Sequence, residues 1–370
     1  MCSCGGKVNT ATAIINSTAL IKNYQYLKRV SNTEVMGVLK ANAYGHGAIG
    51  VARILRSAGM NWIGVATIAE AIEIRESGDS GRILAWLYQV EPETISQALL
   101  HNIDLAIFDA AQINPISHIV SEQGNLRIHL HVDTGMSRGG LAASDALTAA
   151  AVVQSHSKLT LVGCFTHLVS SEFPDNEIVN NQLMQFRSIK NDFSLAGQKD
   201  VLFHIANSGG AINYDVSDFD FVRSGISLYG IDPADNVNPN LIPVMQLVAP
   251  VIQIKHLQIS TGIGYGHTFI TDSDERVALV PIGYADGIPR TASGKAEVWL
   301  NGSKRKVLGT ISMDQIVISA SESDKVGDLV TIFGESSKGF PSVIDLAKSA
   351  GTISYEVLVR IGQRVFRDYV

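Results

Sequence analysis

"EVMGVLKANAYGHGAIGVARILRSAGMNWIGVA", residues 34–66, decides the fold. It opens on an uncharged apolar run, Val35 to Leu39, and closes on a second, Trp62 to Ala66. Runs that are apolar without alternation suit strands covered on both faces. Between them, "GAIGVARILRSAG" (47–59) spaces its apolar residues three and four apart, the period of an amphipathic helix. Strand, helix and strand in that order build a parallel sheet. Lys40 stands where the first run meets a turn containing Asn42, Gly45 and Gly47. Two readings compete for it. It is the point where a strand surfaces, or it is a lysine held partly out of water as a nucleophile.

The pattern continues outward. "TIAEAIEIRESG" (67–78) places Thr67 and Glu70 at capping-box spacing and ends on a glycine, which predicts a helix. "RILAWLY" (82–88), "IDLAIFD" (103–109), "LRIHLHV" (126–132), "LTLVGCFTHL" (159–168) and "VLFHIA" (201–206) read as further buried strands. "FDFVRSGISLYG" (219–230) supplies an eighth strand and its loop, and helical stretches such as 176–196 lie between strands. Eight such units over about 230 residues predict a (β/α)8 TIM barrel, assigned to residues 10–240. The texture then changes. "MQLVAPVIQIKHLQI", "RVALVPIGYADG", "AEVWLNG", "KRKVLGTISMDQIVISA" and "DLVTIFGE" are strand-like pieces between Gly, Asn, Asp and Ser turns, with one short helix near 341–350. This predicts a mainly β C-terminal domain over 241–370, with residues 1–9 a candidate addition to it. The Pro-, Asn- and Asp-rich "DPADNVNPNLIP" (232–243) marks the seam.

Composition narrows the class. The 370 residues are 46% hydrophobic and 17% charged, with a net charge of −6, which is globular. The absence of a Lys/Arg block argues against a nucleic-acid partner. No apolar run reaches membrane-spanning length, so no membrane partner is expected. Cys2 and Cys4 are one residue apart, and no nearby His or Cys completes a metal set, so no metal is assigned. Cys164 lies in an apolar run and reads as a buried free thiol. With no leader-like N-terminus either, the expectation is a soluble cytoplasmic protein.

In such a barrel, chemistry lies at the carboxyl ends of the strands. Lys40, Asp133, Arg138, His167, His204, Ser208 and Arg223 fall there. Singly, each has a plain structural reading: a surface lysine, satisfied core histidines, an ion-paired arginine. The glycines of "NSGG" and "RSG" come after the last strands, where backbone N–H groups often hold a phosphate. A phosphate-bearing aldehyde cofactor on Lys40, pyridoxal phosphate, joins these features; a sugar-phosphate substrate would use the same glycines.

"VLKANAYGHGA" closely resembles the cofactor-lysine segment of the alanine racemases. "VDTGMSRGG", "GCFTHL", "IANSGGA", "FVRSGISLYG", "GYGHTF", "PIGYADGIPR", "GTISMDQ" and "YEVLVRIGQRVFRDY" resemble further segments of that family, in the same order. The resemblance implies a fold-type III pyridoxal 5'-phosphate enzyme interconverting L-alanine and D-alanine for bacterial peptidoglycan. It also implies a head-to-tail homodimer with composite sites. By position, Lys40 resembles the lysine that carries the cofactor. Tyr44, Ser208, the Gly225 and Ile226 backbone and Tyr355 resemble the phosphate cradle. Arg223 resembles the partner of the pyridine nitrogen, supported by His204. Arg138 resembles the residue that borders the cofactor O3′ and the substrate carboxylate, to which Met313 would offer its backbone N–H. Tyr265 resembles the second catalytic base, near His167, and with Met313 would come from the neighbouring chain. Tyr284 and Arg290 resemble residues of the substrate channel.

Racemisation takes a proton from one face of an α-carbon and returns one to the other, so it needs two acid–base groups. The resemblance gives the D-isomer proton to Lys40 and the L-isomer proton to Tyr265. Three positions depart from the family pattern. His131 stands where a lysine, often carbamylated, is usual; Thr310 replaces a common arginine; Glu172 replaces a common aspartate. These bear on the channel and on substrate breadth. Rival readings are a broader racemase acting on serine, a fold-type III decarboxylase, and a non-catalytic pyridoxal phosphate-binding protein. The GYGHTF-type tyrosine and the lysine turn argue against the second, the large β domain against the third.

Overall fold

The computed structural model describes residues 10–120 and 124–370. Cys2, Cys4 and the candidate addition 1–9 lie outside the described residues. The chain forms two compact units, one of Leu20–Ala43 and Ala48–Leu241, the other of residues up to Ala19, Tyr44–Gly47 and Ile242–Val370.

The first unit is a closed parallel barrel. Its strands are β1 (Glu34–Val38), β2 (Trp62–Thr67), β3 (Arg82–Leu87), β4 (Asp104–Ile107), β5 (Leu126–Asp133), β6 (Leu159–Phe165), β7 (Leu202–Ile205) and β8 (Phe221–Ser224). Each pairs with the next, and β8 returns to β1 with Phe221 opposite Glu34. Met36, Leu84, Ala106, Phe165 and Phe221 form a core cluster in these strands, with Trp62, Trp86 and Leu202 packed against it. The near-continuous apolar runs are therefore buried as parallel strands should be. Some predicted strands are shorter than expected: the fourth spans Asp104–Ile107 within 103–109. The sixth ends at Phe165, not 168. The eighth segment is a strand followed by its loop, as expected, the loop holding the 3-10 turn Ile226–Tyr229. Cys164 is a buried free thiol on β6.

The second unit is built on a nine-stranded, mostly antiparallel sheet. The strand Thr12–Ile15 belongs to it, lying between Met245–Pro250 and Phe366–Tyr369. Residues 10–19 thus pack with the β domain rather than opening the barrel, contrary to the start expected at residue 10. Their apolar "TAII" fills a place in the sheet that no local pattern reveals. The expected helix is Val343–Ala350, and a second, Ser354–Val359, comes after it. No helix among the described residues is long and apolar enough to cross a membrane.

Candidate active site

Lys40 sits two residues beyond β1, after Leu39 has donated its N–H to the Gly64 carbonyl at 2.9 Å. The chain then enters a left-handed turn: Ala41, Asn42, Ala43 and Tyr44 all have φ between 51° and 54°. Each L-residue held there costs about 1–2 kcal/mol, so side chains must fix the turn. Asn42 Oδ1 accepts the Ala48 N–H at 2.7 Å. Glu70 Oε1 accepts the Ala41 N–H, also at 2.7 Å. The other Glu70 oxygen takes the N–H groups of Ala66 and Thr67, while Thr67 Oγ1 accepts the Glu70 N–H. The predicted capping box thus also braces the backbone beside Lys40.

The barrel mouth gathers cations and neutral imidazoles. Burial, then the Arg138 charge, lowers the Lys40 amine pKa; Glu70 opposes this and Arg223 adds to it. Burial, with the charges of Arg223, Arg138 and Lys40 behind it, holds His167 well below the usual imidazole range. Arg223 is buried, and every partner of its guanidinium is neutral. It donates to the carbonyls of Thr166, His204 and Ile205 at 2.6–3.3 Å and approaches ring nitrogens of His204 and His167 at 3.3 and 3.4 Å. Burial pulls it down to about 9, still charged at neutral pH. Ser208 Oγ accepts the N–H groups of Gly225 and Ser227 at 3.0 and 3.2 Å, which directs its own proton elsewhere. Ile226 opens a short 3-10 turn, where the first N–H groups have no intrahelical acceptor. This pair lies just beyond β7 and β8, the place where barrels hold phosphate.

Two strand-end residues have other work. Asp133 Oδ1 accepts the N–H groups of Gly135, Met136 and Ser137 at 2.9–3.1 Å, shaping the turn that carries the exposed Arg138. His131 stacks on Phe165 with centroids 4.6 Å apart. Burial, with Arg223 and Arg138, pushes it down to about 4, so it is neutral and adds no negative charge beside Arg138. Glu172 is half-buried.

The other predicted residues lie in the second unit. Tyr44 and Tyr355 have ring centroids 6.3 Å apart, and burial raises the Tyr44 phenol. Tyr265 is 72% exposed and Met313 51% exposed, so large apolar side chains face outward. Tyr265 lies in a 3-10 turn between Gly264 and Gly266, both at φ 69°, and Thr310 Oγ1 donates to its carbonyl at 3.1 Å. Thr310 thus braces the Tyr265 backbone. Tyr284 and Met313 are joined through neighbouring backbone, since Ala285 donates to the Met313 carbonyl at 2.9 Å. Arg290 is exposed at the start of the 3-10 turn Arg290–Ala292.

The sequence reading missed Asp104 and His129. His129 is fully buried and touches both Asp104 and His204. A signal was present: Arg127, His129 and His131 alternate along β5 and so share one face.

A closed parallel barrel with a half-buried lysine and a buried arginine at its strand ends, accompanied by a β domain, defines an α/β-barrel enzyme working at the strand carboxyl ends. Family profiles described as alanine racemase N-terminal domain and alanine racemase C-terminal domain match residues 15–233 and 244–369. The chain belongs to the alanine racemase family. It is 38% identical over 367 residues to the alanine racemase of Thermobifida fusca, covering 97% of this chain and 98% of that one. The crystal structure of alanine racemase from the D-cycloserine producer Streptomyces lavendulae superimposes with a TM-score of 0.89 at 34% identity, covering 98% and 97%. That from Bacillus anthracis, with bound L-Ala-P, does so with a TM-score of 0.90 at 28% identity, covering 98% and 95%.

Proposed function

We propose that this chain interconverts L-alanine and D-alanine with pyridoxal 5'-phosphate held at the barrel mouth, Lys40 being the amine that anchors it. The observation carrying this reading is Arg223, a buried cation whose partners are all neutral, on the strand paired with the one that leads to a lysine of lowered pKa. The residues fit the cofactor. Arg223 would face its ring nitrogen, and Ser208 with the Gly225 and Ile226 backbone would take its phosphate, joined by Tyr44 and Tyr355. When bound, the cofactor supplies the conjugation that acidifies the substrate α-C–H.

The chain's own groups then handle protons. Burial and neighbouring cations increase the free-amine fraction of Lys40, so Nζ can accept the α-proton on one face. On the other face, the Tyr265 Oη of a second copy gives or takes the proton. An exposed tyrosine on a pinned turn is suited to reach a neighbour, which supports reading the assembly as a homodimer with shared sites. Arg138 and the Met313 N–H of the second copy would hold the substrate carboxylate. Arg223 cannot give up its proton near neutral pH, so it would offer a cofactor ring nitrogen no proton to take, which would limit side reactions. Tyr284 and Arg290 line the approach.

The test is to incubate the purified protein and cofactor with L-alanine in deuterated water, then follow optical rotation and deuterium at the α-carbon, with L-serine in parallel. Racemisation of alanine with deuterium uptake is expected, with Tyr265→Phe slowing proton removal from L-alanine more than from D-alanine. Optical rotation that persists for alanine but decays for serine would replace the substrate. No exchange with either would remove the reading.

A further inference from the structure

A chain of three hydrogen bonds crosses the barrel interior. It begins at Asp104, the first residue of β4, which is fully buried and ion-paired to both Arg82 and Arg127. Asp104 Oδ2 lies 3.3 Å from His129 Nε2. His129 Nδ1 lies 3.0 Å from His204 Nε2. His204 Nδ1 lies 3.3 Å from an Arg223 terminal nitrogen.

The chemistry at the two ends leaves one proton arrangement. Desolvation opposes ionisation of Asp104, yet its His129 hydrogen bond and Arg82 win and keep it a carboxylate, so it only accepts. His129 must then donate from Nε2. Burial keeps His129 neutral, which leaves Nδ1 a lone pair. That nitrogen can only accept, so His204 donates from Nε2. Burial, together with Arg223 and His129, keeps His204 neutral too, so its Nδ1 also accepts, here from the Arg223 guanidinium. All three bonds run from Arg223 toward Asp104.

The barrel is built around this chain. The β5–β6 pairing shifts register between Ile128 and His129, and Gly163 of β6 stands opposite His129. A Cβ at Gly163 would lie 2.4 Å from His129 Nδ1, so only glycine leaves space for the imidazole. Trp62 meets the His129 ring edge-on, and Phe165 and Phe221 stack against His204 at 4.8 and 4.3 Å, excluding water. Two guanidinium groups already compensate the Asp104 charge, so what it passes on is direction rather than charge.

We infer that Asp104, His129 and His204 are positioning residues that fix the orientation of the Arg223 guanidinium through a single, one-way sequence of histidine tautomers. This rests on the reading that Arg223 faces the cofactor ring. The experiment is nitrogen NMR of histidine-labelled protein, with and without pyridoxal phosphate, combined with kinetics of three variants. His129 and His204 are expected as neutral, Nε2-protonated tautomers in both preparations. His129→Phe should turn His204 into a tautomer mixture and lower kcat for alanine roughly tenfold with little change in KM, as loss of a partner behind a site residue commonly does. His129→Gln, whose amide can donate to Asp104 and accept from His204, should restore the single tautomer and most of kcat. Gly163→Ala, which crowds the imidazole without removing it, should reproduce the mixture. A wild-type His204 protonated on Nδ1, or a His129→Phe protein with unchanged His204 signals and kcat, would overturn the inference. The expected tautomers in a protein that neither binds the cofactor nor racemises alanine would sustain the chain and remove the site reading instead.

Discussion

Glu70 accepts the N–H of Ala41 at 2.7 Å, so a carboxylate from the β2–helix junction fixes the backbone one residue after Lys40. Its two oxygens serve three N–H donors, those of Ala41, Ala66 and Thr67. Glutamine offers a single acceptor oxygen and turns an NH2 toward the remaining donors. Glu70→Gln is expected to lower stability to urea by about 1–2 kcal/mol and to weaken cofactor retention. Glu73→Gln, on an exposed face of the same helix, should stay within about 0.5 kcal/mol of the parent.

Arg138 acts on Lys40 through its charge. After burial, it is the largest influence lowering the amine pKa. Arg138→Ala should therefore move the pH midpoint of cofactor loading upward, toward the ordinary lysine value, because removal of a cation restores the protonated form. A midpoint that stays fixed or falls in stopped-flow loading would contradict this electrostatic account.

His131 sets part of the acid stability. Its folded-state pKa of about 4 lies below the ordinary 6.5, so between these values the unfolded chain takes up a proton that the folded chain refuses. Stability present above pH 6.5 is lost as pH falls through that window, by about 1.4 kcal/mol per pH unit for one proton. His131→Phe keeps an aromatic ring against Phe165 and removes the titration, so urea midpoints measured from about pH 7 to about pH 4 should decline less steeply. An identical decline would show that His131 does not titrate as described.

Gly45 and Gly59 separate two consequences of a positive φ. Gly45 has φ +79°, and a Cβ there would lie 2.1 Å from the Leu358 carbonyl oxygen. Gly59 has φ +90° with nothing within 4 Å. Gly59→Ala should cost about 1–2 kcal/mol from the backbone alone. Gly45→Ala should cost clearly more, since two pieces of backbone must part, and thermal unfolding of both variants would rank them.

The parts legible in the sequence were those fixed by local pattern. Apolar runs without alternation marked the eight strands, and the Thr67–Glu70 spacing marked a capping box that the structure contains. What stayed hidden depends on distant partners. Ala41, Ala43 and Tyr44 have no preference for left-handed backbone; Asn42 and Glu70 hold them there, and the latter is remote in sequence. The strand Thr12–Ile15 has a short apolar signal whose place is decided by distant partners, Met245–Pro250 and Phe366–Tyr369. Asp104, His129 and His204 meet because β4, β5 and β7 bring them inward, and Gly163 gives no hint in sequence that it makes room for an imidazole. The roles proposed for Tyr265, Met313, Tyr284 and Arg290 entered through family resemblance alone, since their own surroundings are exposed turns.

The most direct test of two bases from two chains is subunit mixing. Lys40→Ala and Tyr265→Phe homodimers, each nearly inactive toward L-alanine, are unfolded together, refolded and assayed. If Tyr265 serves the neighbour's Lys40, the mixed dimer contains one intact site and activity returns, approaching a quarter of the parent for random pairing. If mixed dimers form, as tags of two kinds on one particle would show, and activity does not return, lysine and tyrosine do not meet across chains and the account is contradicted.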